Sequence, residues 1–387
     1  MPITSSITRP KVAVVLTSVL QVRFFLMPHL RALAERYDVT LILKDDHPDL
    51  LAHLDLPLKV VIAPIERPIR PIQDLQGLLF LIRLFWRERF DLVHTLAPKA
   101  GLLGMLAAWL TRTPVRWHTF QGEAWASRTG LMRWLLRTSD RLVSGLATHV
   151  TTVSPSEREL LIEEGILSRE KSCVLANGSI GGVDLERFKP DTERRLSLRA
   201  ELGLRPEDVL FLYLGRLNVD KGLLELAQAF AQLASEQHHV HLRFVGPDEE
   251  GMQERLAPLL TSCADRVSFA AYTPRPEDSM QAADILVLPS YREGLPVVII
   301  EAAGLQVPAI ASRIYGTIDA LKDQETGLLF TVRDVNDLLK QMRLLASNAE
   351  LRERLGRQAR ARVEQTFDQQ LVIKAFLDYY EQLLQRV

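Results

Sequence analysis

Four charged residues in the C-terminal half carry the clearest chemical signal: Arg216, Lys221, Glu293 and Glu301. Arg216 and Lys221 share the turn Gly215-Arg216-Leu-Asn-Val-Asp-Lys221-Gly222. A planar guanidinium fork and a compact ammonium together suit a diphosphate. Two fixed cations can also stabilise the charge that grows on a diphosphate when its bond to a sugar breaks. Taken alone, such a pair in a turn is usually solvated surface. Glu293 and Glu301 are separated by seven residues. A carboxylate inside an apolar helix is costly unless paired or hydrogen-bonded. A diol such as ribose satisfies Glu301 in that position, and so does a buried arginine. Glu293 lies beside an anion site, where it is better suited to sugar hydroxyls than to phosphate; the alternative is a solvated loop residue.

The elements that must hold these residues are legible around them. Asp284 to Asp319 reads DILVLPSYREGLPVVIIEAAGLQVPAIASRIYGTID. Ile285 to Leu288 is a short apolar strand ended by Pro289 and Ser290. Tyr291 to Gly294 form a polar turn, and Pro296 fits the first position of a helix running to Gly304. Pro308 stops that helix and Ala309 to Ser312 is the next strand. A helix start offers unpaired N–H groups and a positive dipole end to an anion. Pro296 has no N–H, so Gly294, Leu295 and Val297 are the expected donors. The Arg216/Lys221 turn likewise joins a strand, Asp208 to Tyr213, to a helix, Leu223 to Ser235.

The frame E-x7-E behind VLPSYREG, together with G-R-x4-K-G, resembles the donor site of retaining glycosyltransferases of family 4, which have the GT-B fold. The resemblance implies two Rossmann-like, doubly wound parallel α/β domains facing across a cleft. It implies a diphosphate held by Arg216 and Lys221, a ribose held by Glu301 and sugar hydroxyls positioned by Glu293. Tyr272, in the loop after the strand Val267 to Ala271, is expected to stack on the nucleotide base or to plug that loop. No Asp-x-Asp pair is present to hold a metal, so no metal and no cofactor are expected. Retention implies an α-linked product from an α-linked nucleotide sugar, with a UDP-sugar as the expected donor of a hexose or N-acetylhexosamine.

The N-terminal half alternates strands and helices, which argues a parallel sheet with ligands at the strand C-termini. That selects the loops after Thr17, Leu96 and Thr119. The first contains no glycine, unlike the commoner family pattern, and Ser18 is expected to line the cleft. The second begins His94-Thr-Leu-Ala-Pro-Lys99-Ala-Gly and the third is Trp117-His118-Thr-Phe-Gln121-Gly. Both resemble the capsule- and O-antigen-type branch of family 4. That branch places a histidine where this chain has Gln121, so His118 and Gln121 both stand as candidates for a hydrogen-bonding role near the transferred sugar. His94 and Lys99 are further candidates for the acceptor side.

Whole-chain properties set the bounds. A chain of 387 residues, 47% hydrophobic and 25% charged, suggests two domains. The expected boundaries are 1–178 for acceptor binding and 179–365 for the nucleotide sugar, with a helix at 366–387 crossing back. Net charge is −1, which argues against nucleic acid as a partner. Residues 1–178 hold 22 Lys/Arg against 17 Asp/Glu, so the basic half is the one to face an anionic partner. Cys173 and Cys263 form no metal or disulfide pattern, which favours a reducing compartment. No signal peptide or membrane-spanning segment is expected. The stretches 75–90 and 128–137 interleave basic and aromatic residues, as suits an anionic bilayer surface. Packing of their apolar faces on the sheet is the alternative.

The chain thus resembles a bacterial enzyme that extends a polyprenyl-diphosphate-linked saccharide, cytoplasmic or peripheral on the inner face of the membrane, with no obligate protein partner evident. A nucleotide-sugar 2-epimerase of the same fold, and a non-catalytic nucleotide-sugar or lipid-binding partner, are the alternatives.

Overall fold

A computed structural model describes residues 9–46, 48, 57–66 and 68–385. The chain divides into two units. One comprises Met1–Gly181 and Gln370–Val387, the other Gly182–Gln369.

The first unit holds a seven-stranded parallel sheet. Its strands are β1 (Lys11–Val15), β2 (Asp38–Leu43), β3 (Lys59–Ile62), β4 (Leu92–Leu96), β5 (Val115–Phe120), β6 (His149–Thr152) and β7 (Ser172–Val174), in the order β3-β2-β1-β4-β5-β6-β7. The central strands β1, β4 and β5 are almost wholly buried, with polar residues such as His94, His118 and Thr119 towards their C-terminal ends. Those helices are α1 (Met27–Arg36), α2 (Pro71–Glu88), α3 (Pro98–Leu110), α4 (Gly130–Leu146) and α5 (Pro155–Glu163).

The second unit holds a six-stranded parallel sheet of β8 (Val209–Leu214), β9 (Val240–Val245), β10 (Val267–Ala270), β11 (Ile285–Leu288), β12 (Ala309–Ser312) and β13 (Gly327–Phe330). The order is β10-β9-β8-β11-β12-β13. Its helices are α6 (Thr192–Glu201), α7 (Leu223–Glu236), α8 (Met252–Leu260), α9 (Pro276–Ala282), α10 (Val297–Gly304), α11 (Val335–Ser347) and α12 (Ala349–Thr366). In α7, Leu223, Leu226, Ala227, Phe230, Leu233 and Ala234 recur at helical spacing and are all buried. The sheet winds one way from β8 through β9 to β10 and the other way from β11 through β12 to β13. The reversal lies between β8 and β11, which pair directly. In open sheets of this kind the crevice for ligands opens at such a switch point, beyond the strand C-termini. Both signature turns, after β8 and after β11, lie there.

The last helix, α13 (Gln369–Leu384), packs on the first unit. Its Tyr380 ring meets Trp117 edge-on with centroids 4.8 Å apart, and Phe376 lies against the same indole at 5.8 Å. The His94 imidazole stacks flat on Trp117 at 3.7 Å. One ring nitrogen of His94 hydrogen-bonds with the Tyr380 hydroxyl at 2.6 Å, the other with Thr119 Oγ1 at 2.7 Å. Among the described residues no helix is long and apolar enough to cross a membrane.

Candidate active site

The two turns at the switch point of the second unit are laced together. The Tyr291 N–H donates to the Asp220 carbonyl at 2.9 Å. The Asp220 carboxylate pairs with Arg292 Nε at 3.1 Å. Lys221 Nζ donates to Glu293 Oε1 at 2.6 Å, with both side chains mostly buried. Gly222 has φ +64°, and a Cβ there would stand 2.1 Å from the Pro289 carbonyl oxygen. Only glycine allows the backbones to approach so closely. Gly316, with φ +78°, does the same on the other side: a Cβ would lie 2.3 Å from the Gly294 oxygen and 2.6 Å from that of Glu293. The β11 turn is thus approached by Gly222 at its Pro289 end and by Gly316 at its Glu293-Gly294 end.

Helix α10 begins at Val297. Pro296 is its N-cap, with φ −73° and ψ 100°, one step earlier than the first helical position expected from the sequence. Its extended ψ turns the chain into the helix, and its carbonyl accepts from the Ile299 N–H at 3.0 Å. The N–H groups of Val297 and Val298 therefore stand at the helix start, where an anion is favoured. Leu295 is buried and fills the turn.

Glu301 sits on α10, partly exposed as a residue. Its carboxyl lies deep enough that burial pushes its pKa up to about 8, against a smaller opposing pull from Arg187. Within the described residues no hydrogen bond or ion pair satisfies it. A carboxyl in such a position gains from any partner that can donate hydrogen bonds to it.

Arg216 follows β8. Its carbonyl accepts from the buried Tyr213 hydroxyl at 2.7 Å, and its Nη1 donates to Glu249 Oε2 at 2.9 Å. The same Glu249 oxygen accepts from Asn218 Nδ2 at 3.1 Å. Glu249 and Glu250 lie in Pro247-Asp-Glu-Glu-Gly251 after β9, and sequence reasoning missed them. The signal was available: β9 is the neighbour of β8, and a polar turn at its C-terminus must border the same crevice. Tyr272 is exposed in the loop after β10. The structure thus brings Arg216, Lys221, Glu293, Gly294, Leu295, Val297 and Glu301 onto the adjoining turns and helix of one crevice, with Tyr272 on a separate loop at its β10 side.

In the first unit the expected residues fare differently. Ser18 is fully buried and caps a short helical turn, accepting from the Leu20 N–H at 3.3 Å. Lys99 Nζ is held by Asp74 Oδ1 at 2.6 Å and by the Pro68 carbonyl. His94 is spent on Trp117, Thr119 and Tyr380. His118 is 1% exposed, hydrogen-bonded to Thr95 Oγ1 at 2.8 Å and packed under Gly101. Burial drives its pKa down to about 3, so the ring is neutral. These four side chains serve the packing of the unit as it stands, because strand-end polar groups had partners on neighbouring elements that spacing alone does not reveal. Gln121 differs: its Nε2 is buried with no hydrogen-bond partner. Its loop is tied down by the Gly122 N–H, which donates to the buried Glu157 carboxylate.

Family models match most of each unit: a glycosyl transferase 4-like domain over residues 26–178 and glycosyl transferases group 1 over residues 195–362. The chain belongs to glycosyltransferase family 4 and has the GT-B fold. The capsular polysaccharide biosynthesis glycosyltransferase CapM of Staphylococcus aureus is 29% identical over 324 residues, 84% of this chain and 85% of that protein. The UDP-Gal:alpha-D-GlcNAc-diphosphoundecaprenol alpha-1,3-galactosyltransferase of Escherichia coli is 28% identical over 313 residues, 80% of each chain. Among solved structures, Anabaena Alr3699/HepE in complex with UDP and glucose matches with a TM-score of 0.80 at 20% identity, covering 96% of this chain and 100% of that one. In family 4 terms, the crevice between the β8 and β11 turns is this chain's candidate donor site.

The raised pKa of Glu301 has a measurable consequence. From the ordinary glutamate value of 4.5 up to about 8, the folded chain holds a proton at Glu301 that the unfolded chain has lost. Stability contributed by this position therefore falls as pH rises through that window, by on the order of 1.4 kcal/mol per pH unit. Urea unfolding of Glu301→Gln is expected to show a variant more stable than wild type at about pH 9, by on the order of 1–3 kcal/mol, with the gain shrinking towards about pH 5. A pH-independent difference would mean that the carboxyl is not desolvated.

Proposed function

We propose that this glycosyltransferase transfers a hexose or N-acetylhexosamine from a UDP-sugar to a polyprenyl-diphosphate-linked saccharide, with retention of configuration and without a metal. The observation that carries the reading is the Lys221–Glu293 contact, which puts a cation and a sugar-binding carboxylate side by side at the switch point. A lone carboxylate there would repel a diphosphate. Paired with Lys221 it is neutralised, and the ammonium keeps two further N–H donors for phosphate oxygens.

In this reading Arg216, Lys221 and the Val297–Val298 N–H groups hold the diphosphate. Glu301 accepts from the ribose hydroxyls, which replace its missing partners and restore its charge. Tyr272 lies against the base. Glu293 orients hydroxyls of the transferred sugar. The acceptor oxygen attacks the anomeric carbon on the face from which the leaving oxygen departs. As the bond to that oxygen breaks, UDP leaves with the electron pair and its phosphate takes the acceptor's proton. The fixed cations stabilise the growing charge in place of a metal. The hydrogen-bonding role left open between His118 and Gln121 falls to Gln121, whose amide nitrogen awaits a partner, rather than to the enclosed His118. The Escherichia coli relative, named for an α-linked product, a UDP donor and a diphosphoundecaprenol acceptor, supports the choice of substrates.

A bilayer surface is the natural place for such an acceptor. On α2, Ile72, Leu75, Leu79 and Trp86 are exposed, and on α4 so are Leu131, Met132, Trp134, Leu135 and Leu142. These side chains do not pack on the sheet, which favours the bilayer reading of both helices.

Mass spectrometry of reactions with UDP- and GDP-sugars, a polyprenyl-diphosphate-linked saccharide and EDTA tests the chemistry. One sugar added, unaffected by EDTA and lost in both Glu293→Ala and Arg216→Ala, is the expected result. Product that disappears with EDTA, or an epimerised donor formed without acceptor, would contradict it. Sedimentation with phosphatidylglycerol vesicles tests the surface: wild type should pellet with the vesicles and Trp134→Glu should remain largely in the supernatant. Equal partitioning of the two would remove α4 from the membrane contact.

A further inference from the structure

The turn after β9 is gripped by the turn after β8 along its whole length. The Leu217 N–H donates to the Pro247 carbonyl at 2.8 Å, and the Glu249 N–H returns to the Leu217 carbonyl at 3.1 Å. Glu250 Oε2 accepts from the Val219 N–H at 2.9 Å. Asp248 anchors the other end by accepting from the N–H groups of Met252 and Gln253 at the start of α8, at 2.8 and 2.9 Å. The Glu249 carboxylate therefore stands on a backbone fixed from both sides. Among the described residues two side chains, Arg216 and Asn218, hydrogen-bond to it, and both donate to one oxygen.

An arginine that is half exposed, as Arg216 is, ordinarily samples many rotamers. Ordering it costs conformational entropy each time it must meet a ligand. A guanidinium has five N–H donors, and Glu249 engages it through Nη1. The remaining edge is left for phosphate oxygens. Glu249 thus holds the fork in one orientation without consuming it. A negative charge so near the diphosphate opposes binding electrostatically, but both partners reach solvent and the penalty is screened.

We propose that Glu249 is a positioning residue for the donor: it aims Arg216 at the diphosphate before the nucleotide arrives. The proposal rests on the assignment of Arg216 to the diphosphate made above.

Calorimetric titration of a double-mutant cycle tests it. UDP and GDP are titrated into wild type, and the tighter of the two is carried forward with its nucleoside as control. Glu249→Ala should weaken diphosphate binding by about fivefold, the range of one exposed ion pair. Glu249→Gln, whose amide oxygen accepts the same hydrogen bonds, should recover most of that loss. Uridine or guanosine binding should not change. In an Arg216→Ala background, Glu249→Ala should have no further effect. An equal loss in both backgrounds, an equal loss for the nucleoside, or tighter binding by Glu249→Ala would overturn the proposal. If Arg216→Ala binds the diphosphate as wild type does, the assignment of Arg216 itself fails, and Glu249 has nothing to aim. If only the Glu249 variants are silent, Arg216 stands and this inference alone falls.

Discussion

The Lys221–Glu293 ion pair is the contact on which the site depends. It joins a turn leaving β8 to a turn leaving β11, two strands that are neighbours in the sheet but 70 residues apart in the chain. Each charge makes the other tolerable in a mostly buried position, since removing one partner of such a pair strands the other. The pair also reconciles two demands that conflict at first sight. A sugar needs a carboxylate near its hydroxyls, and a diphosphate needs to be spared one. In the proposed reading, seating the ammonium between them meets both. A side chain at Gly222 would force these two turns apart, and one at Gly316 would push the segment after β12 off the Glu293 and Gly294 carbonyls.

Much of this was legible before any coordinates. The stretch around Glu293 announces itself through local rules: a run of β-branched residues, a Pro-Ser stop, a polar turn and a proline at a helix start. Its strands β11 and β12 fall on the residues read from pattern alone. The strand β13 escaped, being four residues at a sheet edge behind a Thr-Gly turn. What the sequence concealed was the use of polar side chains whose partners are remote. His94 looks like a ligand-binding histidine at a strand end, yet it is held by Tyr380, which lies 286 residues away. Lys99 is bound to Asp74 on the adjacent helix. Glu249 was hidden for the opposite reason: acidic residues in a turn are ordinarily solvated, and only the pairing of β8 with β9 shows what it touches.

The site also carries a stability cost, which the proposed ribose role of Glu301 would account for. Glu301 is the most expensive residue of α10, a carboxyl placed where the helix is otherwise apolar. Such residues persist where a ligand, rather than the fold, supplies the missing partners. The same logic applies to the buried amide of Gln121 in the first unit. Both are polar groups whose satisfaction the chain leaves to something else, and both lie at the C-terminal ends of parallel strands or on the elements that follow them.

The most direct test of the account is the affinity for free UDP, measured calorimetrically for wild type, Lys221→Met and Glu293→Gln. If Glu293 serves the sugar and balances Lys221, losing Lys221 should weaken UDP by roughly a hundredfold, in the range of a buried charge-assisted contact to phosphate. Losing the charge of Glu293 should leave UDP as tight or tighter, because free UDP lacks the transferred sugar that Glu293 is proposed to hold. If Glu293→Gln weakens UDP as much as Lys221→Met does, Glu293 binds the nucleotide itself, and the division of labour at the centre of this site is wrong.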